Sequence, residues 1–123
     1  YKSFPVQSNA YYLTLMRYVE SNPLRAKLVK RSANWQWSSL AIRCGADKAL
    51  QLSDGPLALP RGWKGLVDGF DDAMTGDIET CIGRGRPLGN DKWVKKTAKE
   101  LLLESSLRAR GRPKMLKISK KGV

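Results

Sequence analysis

At 123 residues the chain has room for one small domain with a tail, and its 41% hydrophobic residues, with four Trp and four Tyr, suffice for a modest core. It carries 23 Lys+Arg against 11 Asp+Glu and no histidine, and its two cysteines, Cys44 and Cys81, are far apart, so no self-contained zinc site is expected and two reduced thiols are. No apolar run approaches the roughly 20 residues of a membrane span and no basic-then-apolar signal segment is present, so no membrane partner is expected.

In chain order, residues 1–7 read as an extended or irregular lead, because Pro5 disfavours helix at Phe4. Ser8 or Asn9 caps a helix from Ala10 to Ser21, with Tyr12, Leu15, Met16 and Val19 as an apolar stripe. Tyr11, Leu15, Tyr18 and Asn22 fall on an adjoining stripe, which puts Tyr18 near the border of the buried face. Pro23 is expected to end this helix and Asn22 to cap a second one over Leu24 to Lys30. After Trp35-Gln36-Trp37, Ser38 caps a short helix from Ser39 to Cys44 that stops at Gly45. Trp35 and Trp37, two apart beside Leu40, are expected in the core rather than as a base-stacking pair.

From Ala46 to Arg61 the Gly and Pro content implies a loop anchored at Leu57 to Leu59. A brief helix follows over Trp63 to Val67, then a turn-rich stretch, then a helix from Asp77 to Gly83 opened by acidic residues. Gly83-Arg84-Gly85-Arg86-Pro87-Leu88-Gly89 breaks it, and Asn90 caps a better helix from Asp91 to about Leu103, with Trp93, Val94, Thr97, Ala98 and Leu101 on one face. A turn at Glu104 to Ser106 leads into a basic tail. The expected fold class is therefore mainly α: short helices, long loops and a basic C-terminal tail. Three regions follow, at 1–45, a loop-rich connector at 46–83, and a basic segment at 84–123.

The charge is unevenly placed. Residues 1–83 hold ten basic and eight acidic side chains, and residues 84–123 hold thirteen basic and three acidic, so the last third is the polyanion-attracting part. Arg84, Arg86, Lys92, Lys95, Lys96, Arg108, Arg110, Arg112 and Lys114 are its candidate phosphate contacts, joined by Arg17, Arg25 and Lys27 in the first third. Arg84-Gly-Arg-Pro and Arg110-Gly-Arg-Pro each resemble the core of AT-hook peptides, in which two guanidiniums bracket a Gly in a narrow minor groove. The first copy reads as a helix-ending turn and the second as a DNA-contacting tail. Tyr18 and Asn22, one helical turn apart, are the one pair that suggests covalent chemistry. A half-buried core tyrosine and a helix cap are the plain alternatives.

Several phrases taken together resemble the HUH-type single-tyrosine transposases, particularly the REP-associated tyrosine transposases. They are Phe4-Pro5-Val6, Arg17-Tyr18-Val19-Glu20-x-Asn22-Pro23-Leu24-Arg25-Ala26, Trp35-x-Trp37-Ser38-Ser39-Leu40, Arg84-Gly85-x-Pro87-Leu88-Gly89 and Arg110-Gly111-Arg112-Pro113. The resemblance covers the later part of the family's proteins, and the start at Tyr1 in mid-phrase fits a C-terminal fragment. It implies that Tyr18 is the nucleophile that attacks a DNA phosphate, giving a 5′-phosphotyrosine and a free 3′-OH, with Asn22 as an orienting helper. It also implies a divalent cation, Mg or Mn, in the intact enzyme, held by a His-hydrophobic-His pair on a ferredoxin-like sheet. With no histidine here, that pair and most of the sheet fall outside this chain, which holds no cofactor of its own. Single-stranded or hairpin DNA is the implied partner, a homodimer the implied assembly of the intact protein, and the prokaryotic cytoplasm, at the nucleoid, its implied place. The chain alone is expected neither to cleave nor to join DNA. A stand-alone, non-catalytic DNA- or RNA-binding module is the alternative, and an adaptor for acidic proteins or ribosomes needs only the charge.

Overall fold

The computed structural model describes residues 2–111. Five α-helices are present there: α1 (Asn9–Arg25), α2 (Ser39–Arg43), α3 (Trp63–Asp68), α4 (Thr75–Arg84) and α5 (Asp91–Glu100). Short 3₁₀ turns lie at Ser32–Asn34, Asp72–Met74 and Glu104–Leu107. Among the described residues β pairing is limited to an isolated parallel bridge between Val6 and Leu88. The molecule is mainly α, as the sequence predicts, and residues 46–62 form the expected loop.

α1 departs from expectation at its end. It runs through Pro23 to Arg25 as one helix, so Asn22 lies inside it and is not the cap of a second helix. The expected Leu24–Lys30 helix does not form. A proline in the last turn removes one backbone N–H, and the pre-proline bias at Asn22 is overridden because Tyr18, Glu20, Ser21 and Pro23 are all buried in this register. The helix instead closes in a Schellman motif: Lys27 N donates to the Leu24 carbonyl at 2.9 Å and Leu28 N to the Pro23 carbonyl at 3.0 Å, with Lys27 left-handed at φ 59°.

The α1 helix separates two small cores. On one side Tyr18 clusters with Ile78, Cys81 and Leu88, with Tyr11, Leu15 and Phe70 packed around them. On the other, Leu40, Trp63 and Val67 are joined by Leu13 and Met16. At about 100° per residue, the Tyr11/Leu15/Tyr18 face and the Leu13/Met16/Glu20 face are nearly opposite. The predicted stripe ran between them, which is why its last member, Val19, is exposed.

The chain's start is tied to its later part. Gln7 N donates to the Leu88 carbonyl at 2.9 Å and Leu88 N to the Pro5 carbonyl at 2.8 Å, while Asn90 N donates to Gln7 Oε1 at 2.8 Å. Gly89 sits in this junction, where a Cβ would come within 2.6 Å of both Gln7 Oε1 and Trp93 Cε3. α4 runs past Gly83, where the sequence expects it to end, and stops at Gly85, left-handed at φ 67°. Asn90 caps α5 by accepting from Trp93 N at 2.9 Å, and Ser38 caps α2 by accepting from Ala41 N at 3.1 Å.

Candidate nucleic-acid interface

Tyr18 is deeper than its predicted border position. It is 7% exposed, meets the Phe70 ring edge-on at a centroid distance of 5.9 Å, and carries the Arg25 guanidinium on its face at 4.2 Å. Its phenol makes no hydrogen bond to the described residues. Asn22, one turn on, is exposed and lines a groove with Val19, Pro23, Trp35 and Trp37 that Tyr18 does not reach. The two residues share a helix but not a pocket.

The first-third arginines are engaged with the protein. Arg17 donates from Nε to the Leu66 carbonyl at 2.7 Å and from Nη2 to the Gly69 carbonyl at 3.0 Å, so it satisfies the C-terminal end of α3. Arg25 stacks on Tyr18 and lies 3.6 Å from the Asp72 carboxylate, with its Nη1 fully buried and without a hydrogen-bond partner. Lys27 is exposed at the turn that ends α1. The residues nearest Tyr18 thus build a packed core.

Glu20, 1% exposed, is a buried acid with a structural task. Its carboxylate accepts from Trp63 Nε1 at 2.6 Å, from Ser39 Oγ at 2.5 Å and from Arg43 Nε at 3.3 Å, linking α1, α2 and α3. Nothing in sequence spacing marks it, because its partners lie 19 to 43 positions away.

An open cationic surface lies on α5. Lys92, Lys95, Lys96 and Lys99 are exposed, and their i, i+3, i+4, i+7 spacing puts them on one face, diametrically opposite Val94, Thr97 and Ala98, which are buried. Lys96 leans 3.8 Å from Glu100; Lys92, Lys95 and Lys99 form no ion pair among the described residues. The row spans about 10 Å of helix axis, close to the rise of three stacked nucleotides of a strand. Lys99 completes it and was legible from its spacing.

The arginines around α5 divide. Arg86 lies 3.9 Å from Asp91, and Arg84 at the end of α4 lines a cleft with Arg110, whose Nη2 donates to the Gly83 carbonyl at 3.4 Å. Arg108 is exposed. Arg112 and Lys114 lie outside the described residues. Arg110 therefore reaches the helix end that the first Arg-Gly-Arg-Pro phrase forms.

One aromatic expectation is overturned. Trp35 is half-buried, but Trp37 is 76% exposed. The core place expected for it is taken by Trp63, which brings its indole N–H to Glu20.

The described residues gather no ligand set for a divalent cation. Among the described residues no group of three or more His, Cys, Asp or Glu side chains is gathered, and both oxygens of Glu20, the acid nearest Asn22 in the groove, already accept hydrogen bonds. The residues present do not fit such an ion. Cys81 offers no nucleophile: burial pushes its thiol above the ordinary 9.0, Arg86 opposes this and Asp77 adds to it. No described helix is long and apolar enough to cross a membrane. Compared with protein-family models, curated proteins and solved structures, the chain matches none.

Proposed function

We propose that the chain is the C-terminal portion of a single-tyrosine DNA transposase. By itself it holds single-stranded or hairpin DNA through the phosphate backbone without cutting it. The observation that carries the binding half is the lysine row of α5, four ammonium groups on one exposed face with a buried face behind them. The transposase half rests on the sequence phrases around Tyr18, Trp35 and Gly89. In the intact protein, the Tyr18 oxygen bonds to phosphorus as the bond to the 3′ oxygen breaks, and Asn22 helps orient the strand. The Mg or Mn ion is held outside this chain. The burial of Tyr18 and the absence of histidine both support inactivity of the chain alone. The cytoplasm, the nucleoid and a homodimer belong to this same reading.

A labelled single-stranded oligonucleotide tests it in two ways. Binding should weaken steeply with salt and be reduced by Lys-to-Gln changes on α5, and no covalent adduct should form in denaturing gels. An adduct that disappears in Tyr18→Phe would overturn the inactivity of the chain. The burial of Tyr18 equally favours a second reading, a non-catalytic nucleic-acid module. An upstream reading frame encoding a His-hydrophobic-His strand favours the transposase, and a start codon near Tyr1 the module or a decayed gene.

A further inference from the structure

We propose that the groove between the end of α1 and the Trp35–Ser39 segment receives one unpaired base of a nucleic-acid strand, stacked on Trp37 with its edge against the Asn22 amide. An indole left 76% exposed in a chain with a modest core is a large apolar area left in water. It borders a groove of about 290 Å³ walled by Val19, Pro23 and Trp35. That is the small end of ligand pockets, suited to one ring system rather than an extended ligand.

The polar groups in the groove narrow the occupant. Ser38 Oγ donates to the Trp35 carbonyl at 2.8 Å and accepts from Ala41 N, and Ser39 Oγ is given to Glu20. Both Glu20 oxygens are occupied. What remain are the indole N–H donors of Trp35 and Trp37 and the exposed Asn22 amide, which makes no hydrogen bond among the described residues and is the group of the three that both donates and accepts. A neutral group that both donates and accepts, beside an aromatic face, matches a base edge and a base face together.

Charge supplies the third argument. Residues 21–46 contain five basic side chains (Arg25, Lys27, Lys30, Arg31 and Arg43) and no acidic one. Lys27, Lys30 and Arg31 are exposed, with no ion pair among the described residues. An apolar groove whose one lining carboxylate, Glu20, is buried and already accepts from Trp63, Ser39 and Arg43 suits an anionic strand that carries a flat apolar base. The inference rests on the proposed nucleic-acid binding and adds to it a place where single strands are told from duplexes.

The test measures affinity of the full chain for an oligodeoxyadenylate, an oligothymidylate and an abasic strand of equal length. The wild type should prefer the base-bearing strands by about 5- to 100-fold, with quenching of Trp fluorescence. Trp37→Ala should remove that preference and leave both the affinity for the abasic strand and the salt slope unchanged. Trp37→Phe should keep most of it, and Asn22→Ala should narrow the difference between the two bases. A Trp37→Ala chain that retains the base preference, or that loses abasic binding equally, overturns the proposal. So does a groove found by sedimentation to be covered by a second copy through Trp37. Wild-type binding to the abasic strand without base preference removes the groove alone, and no binding to any strand removes the proposed function with it.

Discussion

Three side chains converge on the Glu20 carboxylate, and removing it leaves the buried Trp63 N–H and the Ser39 hydroxyl without an acceptor. Arg43, 31% exposed, can turn to water. Glu20→Ala is therefore expected to lower stability by about 3 kcal/mol in urea unfolding, near the low end for breaking a buried pair. Trp37→Ala should change it by less than about 0.5 kcal/mol, since the ring packs little. The thiols give a pH test. The folded Cys81 pKa is raised, so its contribution is fully present below 9.0 and is lost as pH rises through the higher folded value. Cys81→Ala should lack that part of the alkaline decline, and a thiol reagent at neutral pH should label exposed Cys44 well before Cys81.

At the scale of elements, caps and stops were the legible features: Ser38, Gly45 and Asn90 all act where local chemistry places them. The end of α1 was not legible, because the bias against helix before Pro23 is local and the burial of Tyr18 and Glu20 that overrides it comes from residues 39–88. Two helix stops use left-handed residues other than glycine, Lys27 and Leu102. Leu102 is 85% exposed and gains nothing from its side chain, so Leu102→Gly should stabilise the chain by about 0.5–1 kcal/mol in thermal or urea unfolding. Gly89→Ala should act oppositely, costing about 1–3 kcal/mol, because its Cβ would press on Gln7 and Trp93. That strain falls where the chain's start is pinned to α5.

For the whole molecule, the uneven charge was the most informative sequence feature, and the fold turns part of it into a surface. The lysines of α5 could be read from spacing alone. The roles of Arg17 and Arg25 could not, since their partners at Leu66, Gly69 and Asp72 are distant in sequence. Tyr18 stands between the two scales: its neighbours in sequence suggest chemistry, while its neighbours in space make a core. The proposed binding of nucleic acid by the chain itself therefore rests on the α5 face. The direct measurement is the salt dependence of binding to a single-stranded oligonucleotide, comparing the wild type with a chain carrying Lys92→Gln, Lys95→Gln, Lys96→Gln and Lys99→Gln. The slope of log affinity against log salt should become shallower by about 2–3 in the variant, as expected for losing up to four phosphate contacts. An unchanged slope and affinity would contradict the assignment of this face to nucleic acid.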